Sequence, residues 1–454
     1  MNHFRPPLST RRQFLAGAAG VAGATLLSSC SLWPESSDPE PGHGQADVVY
    51  GVVPHLVSSR GLAGVTDRLD DLSDLGITML WLPPPTVTPT GDFGYDVVDF
   101  RSLRGDYGTN EDMHSFVAAA HDRGMRVVMD FVANHSSRRH RWLRAEEGEP
   151  RYDFYDRAAG GRPRHYFDWN HLPNLALANP EVANYMIGSL VYWVDEFDID
   201  GFRLDVAWGP AERAPDFWPK ALRALRARKR VFLLAEASVR DPYYSRAGFD
   251  AAYDWTKDLG HWAWQDIFDE SFADAGGLAD AVEKSLQQAP SGDGVFRFIN
   301  NNDTGERFIT QHGPAMTRLA AAFLLTIPGI PCIYEGDEVG AEYEPYVDID
   351  PIDMTDRHGL LEHYKELVDV RRSVAALSSS AMRRIETEDP NVLVLEREHP
   401  DGNVTLVFNF LDGESSASIS AERIIYHLRD PSSVGDSVDS QLDLAGLDCV
   451  ILET

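Results

Sequence analysis

From Val48 to about residue 375 the chain alternates short apolar runs with amphipathic stretches, and this alternation limits the fold more than any other feature. Parallel strands need a long crossover between them, which a helix supplies. Candidate strands fall at residues 48–53, 78–82, 126–132, 200–205, 231–236, 250–254, 295–300 and 331–334. Eight βα repeats predict an α/β fold, a closed (β/α)8 TIM barrel at residues 47–374, enlarged by insertions beyond the roughly 250 residues usual for it. Leu62, Val65, Leu69, Leu72 and Leu75 keep a helical spacing that stops at Gly76. Asn179-Pro180-Glu181 reads as a capped helix start, the helix running to about Phe197. Another helix is expected from about Pro314 to Leu325.

Two stretches depart from the repeat. Residues from about 135 to 178 are dense in Arg and aromatic residues and lack a period, which predicts a short inserted subdomain after the third strand. After Ala375 the pattern becomes alternating, as in Val392–Arg397 and Val404–Phe410, predicting a C-terminal antiparallel β-sandwich domain at 375–454.

The N-terminus carries an address. Ser9-Thr10-Arg11-Arg12-Gln13-Phe14-Leu15, an apolar run and Leu27-Ser28-Ser29-Cys30 resemble a twin-arginine export signal ending in a lipobox. That resemblance implies removal of residues 1–29 and lipidation of Cys30. It also implies a location on the outer face of the cytoplasmic membrane or in the cell envelope. Residues 30–46, rich in Ser, Pro, Glu and Gly, would be a flexible tether. With 71 acidic against 41 basic residues the net charge is −30, which excludes a nucleic-acid partner by repulsion. Cys332 and Cys449 form neither a disulfide framework nor a metal-ligand pattern. The apolar stretch Leu319–Tyr334 is interrupted by Pro328 and Pro331 and reads as barrel, not as a membrane span.

Three acids at strand ends carry the chemistry. In Gly201-Phe202-Arg203-Leu204-Asp205 alternate residues share a face, so Arg203 and Asp205 point into the barrel mouth together. An arginine beside a carboxylate is expected to keep it ionised. Val231-Phe232-Leu233-Leu234-Ala235-Glu236 is apolar up to its final acid, whose pKa desolvation should raise. Asp303 closes Phe298-Ile299-Asn300-Asn301-Asn302-Asp303. An ionised carboxylate and a protonated one on either side of a bond are what glycoside hydrolysis requires.

At this point the sequence resembles the alpha-amylase family, glycoside hydrolase family 13. The resemblance rests on Asp130-Phe131-Val132-Ala133-Asn134-His135, Gly201–Asp205, Leu233–Ala237 and Phe298–Asp303. It is supported by Gly94-Tyr95-Asp96, Leu172-Pro173-Asn174-Leu175 and Tyr334-Glu335-Gly336-Asp337-Glu338, in the family's order. It implies Asp205 as nucleophile, Glu236 as general acid and base, and Asp303 as transition-state stabiliser. Tyr95, His135 and Arg203 would line the subsite of the reacting sugar. Retention of configuration, with the two reacting carboxyls about 5–5.5 Å apart, is implied with them.

Two departures stand out. Asn302 occupies the place of a usual His, and it can donate a hydrogen bond but carries no charge. Trp208, in Val206-Ala207-Trp208-Gly209, either stacks on a sugar or packs against the subdomain. No cofactor is implied as a requirement. A structural calcium ion is implied near Asn134, with Asp153 and Asp168 as candidate oxygen donors. The acid-rich stretch Glu342–Asp356, after the eighth strand, reads as a solvated loop, the alternative being a rim of the active site. The expected partner is an α-glucan or malto-oligosaccharide, cleaved by hydrolysis. The alternatives are a transglycosidase or disaccharide isomerase of the same family, and a catalytically silent carbohydrate-binding surface lipoprotein.

Overall fold

The computed structural model describes residues 47–89, 93–255, 275–288, 294–348, 350–389 and 391–454. The N-terminal motif, Cys30 and the tether therefore lie outside the described residues. Eight parallel strands close into a barrel in chain order: Val49–Gly51, Met79–Leu82, Arg126–Val132, Gly201–Asp205, Phe232–Ser238, Ala251–Tyr253, Val295–Phe298 and Ile330–Tyr334. The last strand pairs with the first, Val49 opposite Cys332. All eight expected strands are present. Their side chains are buried on both faces apart from a few at the ends, because helices cover the outside and the lumen is filled.

The helix caps follow from local chemistry. The Asn179 side chain accepts the Glu181 N–H at 2.9 Å, Pro180 takes the first helical position, and the helix Pro180–Phe197 ends at Asp198 in the left-handed region. Thr109 and Asp112 form a reciprocal capping box at the start of Asn110–His121.

The structure differs from expectation in four places. The leucine-rich stretch is two helices, Leu62–Thr66 and Leu69–Asp74, broken at Arg68, whose guanidinium turns in toward buried Glu338 at 3.5 Å. The helix expected from Pro314 begins at Phe308 and is interrupted by Gly313 at φ 77° before the proline. The loop after the second strand carries an antiparallel pair, Thr86–Val87 with Asp99–Leu103. The fifth strand continues past Glu236 to Ser238, and its register slips between Ala235 and Ser238. Such a bulge re-aims the side chain within it, and here that side chain is Glu236.

The inserted segment is keyed to the barrel by Trp142, whose ring meets Phe154 at 5.0 Å and Tyr185 of the helix Pro180–Phe197 at 4.7 Å. The C-terminal strands form a five-stranded antiparallel sheet, in the order Met382–Ile385, Val392–Arg397, Val404–Asn409, Asp448–Glu453, Arg423–His427. Its alternation sorts two faces. Val392, Val394, Val407, Val450 and Leu452 pack on the separate strand pair Ser415–Ala417 and Leu442–Leu444. Leu393, Leu395, Leu406, Phe408 and Ile451 join the barrel core, with Phe408 against Phe323 at 5.4 Å.

Arg397 fastens the two units. Fully buried, it donates to the carbonyls of Thr326, Leu377 and Ser379, the first of them at the C-terminal end of a barrel helix whose last carbonyls lack helical partners. Arg397→Met leaves these carbonyls unsatisfied, at about 1–3 kcal/mol each. We expect denaturant unfolding to show a loss of roughly 3 kcal/mol or more. A midpoint equal to that of the wild type would contradict this role.

Candidate active site

The register of the third and fourth strands places Asp130 opposite Arg203 and Val132 opposite Asp205, so the two acids and the arginine share the lumen face. Arg203 is fully buried, its guanidinium 5.7 Å from the ring of Trp81, 5.9 Å from Tyr95 and 5.6 Å from Tyr253. In this cage it meets four carboxyl groups. Nη1 donates to Asp205 Oδ1 at 2.9 Å, Nη2 lies 3.1 Å from Glu236 and 3.8 Å from Asp303, and Nε lies 3.3 Å from Asp130. The three expected acids, from the ends of the fourth, fifth and seventh strands, therefore converge on one cation.

Each acid is held differently. Asp205 Oδ1 is fixed by Arg203, while its Oδ2 is buried with no hydrogen-bond partner among the described residues. Glu236 Oε2 accepts the Val206 N–H at 2.6 Å. That donor is available because Val206 has φ 47°, a left-handed conformation that costs a β-branched residue on the order of 1–3 kcal/mol. The loop that carries Asp303 is held by Asn300 and Asn301. Asn300 ties the loop to the eighth strand's end, donating to Asp337 at 2.7 Å and accepting the Phe308 N–H at 2.8 Å. Asn301 Oδ1 then accepts the Asp303 N–H at 2.8 Å, closing an Asx turn.

Burial sets the proton affinities. It pushes Glu236 up to about 8 and Asp205 and Asp130 up to about 7, with Arg203 pulling each back down. The expectation that Arg203 would keep Asp205 strongly acidic is corrected here. One guanidinium divided among three desolvated carboxyls and the more exposed Asp303 does not offset their burial and mutual repulsion. Both reacting acids are thus held above the ordinary carboxylate range.

The remaining expected residues frame this centre. The Tyr95 hydroxyl donates to Asp130 at 2.6 Å. His135 is buried behind it, one ring nitrogen 3.0 Å from the Tyr95 carbonyl and the other 3.1 Å from the Asn134 amide, and its ring stacks on Tyr166. Both nitrogens are thus engaged by the protein, and His135 holds Tyr95 in place. Asn302 donates through Nδ2 to the hydroxyls of Tyr95, at 3.2 Å, and Tyr346, at 2.7 Å. Trp208 opens the short helix after Asp205 and meets Tyr166 and Phe167 of the inserted segment at 6.0 and 5.9 Å. Sequence reasoning quoted Asp130 without giving it a role, and it missed Tyr253 and Tyr346. The place of Glu342–Asp356 after the eighth strand allowed it to rim the site, but nothing local singles out Tyr346 within it.

The donor set at Asn134 does not fit a calcium ion. Arg213 Nη2 donates to Asn134 Oδ1 at 2.6 Å and lies 3.3 Å from its carbonyl oxygen, so a guanidinium already engages both oxygens. Gly209 permits this approach, since a Cβ there would come within 2.2 Å of Asn134 Oδ1. Asp153 and Asp168 are exposed. Among the described residues no three His, Cys, Asp or Glu side chains gather to hold a metal. Thermal unfolding with and without a chelator should therefore give midpoints within about 1 °C, whereas a fall of about 5 °C or more on chelation would contradict this reading.

Comparison with known proteins agrees with this geometry. Residues 57–375 match the alpha-amylase catalytic-domain family model. The alpha-amylase MalA of Haloarcula japonica is 29% identical over 338 residues, 72% of this chain and 49% of that protein. A cyclomaltodextrinase of Geobacillus thermopakistaniensis is 30% identical over 394 residues, 79% of this chain and 63% of its own. The chain thus spans about half to two-thirds of the length of these relatives. In fold it superposes on a trehalulose synthase from Pseudomonas mesoacidophila MX-45 with a TM-score of 0.78 at 19% identity, covering 91% of this chain and 100% of the other. With eight parallel strands closed in order, three acids at the expected strand ends and a catalytic-domain match across the barrel, the chain belongs to the alpha-amylase family.

Proposed function

We propose that the protein is a retaining glycoside hydrolase that cleaves α-glucosidic bonds in malto-oligosaccharides or related α-glucans. The observation that carries this reading is the convergence of Asp205, Glu236 and Asp303 on Arg203, with Asp205 Oδ2 left without a hydrogen-bond partner among the described residues. In the first step Asp205 Oδ2 attacks the anomeric carbon, the bond to the leaving oxygen breaks, and Glu236 gives that oxygen its proton. Arg203 holds the spent oxygen of Asp205, and Asp303 binds the reacting sugar as charge develops on its ring. In the second step the Glu236 carboxylate takes a proton from water, and the resulting oxygen displaces Asp205, restoring both acids. Two inversions leave the configuration unchanged.

Transfer to a sugar acceptor instead of water is the second reading. It is supported by the aromatic group of Tyr166, Phe167 and Trp208 on the Glu236 side, where Phe167 is 40% exposed and could carry an acceptor ring. Product analysis at high sugar concentration separates the two. Export by the twin-arginine route, lipidation of Cys30 and action at the cell envelope belong to the same proposal and are supported by the N-terminal motif.

The hydrolase reading is tested on maltotriose, a pullulan-type glucan and sucrose. Asp205→Asn should lower turnover by about a thousandfold or more, and equal turnover by variant and wild type would remove the enzyme claim. The pH dependence has a definite sign. Asp205 must be ionised, so kcat/KM falls as pH drops below about 7, and Glu236 must be protonated, so it falls again above about 8. The two limbs belong to the coupled pair. A profile that is flat into the alkaline range, or an acid limb near the ordinary carboxylate range, would contradict this.

A further inference from the structure

Tyr346 lies in the loop that follows the eighth strand, at the tip of a turn in which the Val347 N–H bonds the Glu344 carbonyl and the Glu344 N–H bonds Asp348. The loop is anchored. The Tyr343 hydroxyl accepts from Arg307 at 3.2 Å and donates to buried Glu335 at 3.4 Å. Tyr346 itself has φ 66°, a conformation an aromatic residue adopts only when its surroundings enforce it. They do so at both ends of the side chain. Its hydroxyl accepts from Asn302 at 2.7 Å and donates to Asp303 at 3.4 Å, while its ring meets Phe93 edge-on with centroids 4.5 Å apart. Phe93 is backed by His55 at 5.3 Å. The loops after the first, second and eighth strands, neighbours around the barrel, are thus joined by one aromatic row.

The position of that row matters. Glu236 is at the end of the fifth strand, and the sugar that leaves must lie on its side, with Trp208 and Phe167. The part of the glucan on the non-reducing side of the reacting ring must leave across the opposite rim, between the loops after the second and eighth strands. Phe93 and Tyr346 touch there. We propose that Phe93 and Tyr346 wall off the reacting subsite on the side away from Glu236, so that the site accepts the non-reducing terminal residue of a glucan and excludes internal ones. Asn302 is what recruits Tyr346, because its short amide reaches both tyrosine hydroxyls. This inference rests on the hydrolase reading above and specifies its mode of attack.

The test compares consumption of maltoheptaose with that of the same oligosaccharide blocked at its non-reducing end by a 4,6-ethylidene group. Wild type should consume the free form, with glucose as the first product, and the blocked form roughly a hundredfold more slowly. Tyr346→Gly removes the wall while suiting the left-handed backbone, and it should narrow that ratio to about tenfold or less. Tyr346→Phe keeps the ring and its contact with Phe93 but loses the hydroxyl that Asn302 holds, and should give a ratio between those of the wild type and Tyr346→Gly. Consumption of both forms within about threefold of each other by the wild type would overturn the inference and leave the hydrolase reading standing. A selective wild type with an equally selective Tyr346→Gly would overturn the assignment to Tyr346. Consumption of neither form would overturn the hydrolase reading and this inference with it.

Discussion

A single buried guanidinium organises the mouth of this barrel. Arg203 is fully buried, so its charge must be met by protein groups, and four carboxyls from the third, fourth, fifth and seventh strands and the loops after them meet it. The same arrangement settles where the protons go. One positive charge cannot offset the burial and mutual repulsion of several carboxyls, so Glu236, Asp205 and Asp130 are held above the ordinary carboxylate range.

That centre is costly to assemble, and the surrounding structure over-determines it. Val206 is held in a left-handed conformation and Tyr346 in another. Asn300, Asp337 and Arg307 form a buried network that pins the loop of Asp303 to the eighth strand, Arg307 donating to the Asp337 carboxylate and to the Glu335 carbonyl. Elsewhere, guanidinium groups do work that a metal or an acid does in other settings. Arg213 engages the oxygens of Asn134, and Arg397 caps the carbonyls that join barrel to C-terminal sheet. A planar group with five donors in a fixed fork suits both tasks.

Much of this was legible in the sequence because it is periodic. The eight strands and the shared face of Arg203 and Asp205 follow from alternation, and Glu236 is visible as the end of an apolar run. What escaped depends on contacts between distant residues or on strained backbone. Arg213 reaches Asn134 across 79 positions, and Asn302 reaches Tyr346 across 44. A valine is among the residues least suited to a positive φ, so nothing in Val206 announces the turn that delivers its N–H to Glu236. The bulge at Glu236 and the break at Arg68 likewise answer to partners remote in the chain. The acidity of Asp205 was misjudged because the pair Arg203–Asp205 is visible in sequence, while the three other carboxyls competing for the same cation are not adjacent to it.

The central claim is that Arg203 grips one oxygen of Asp205 and leaves the other to attack carbon. It is tested most directly by trapping the covalent intermediate with a 5-fluoro-α-glucosyl fluoride and mapping the labelled peptide by mass spectrometry. The account predicts one sugar per chain, esterified to Asp205. A label on Glu236 or Asp303, or turnover of the reagent with no ester formed on Asp205, would contradict it.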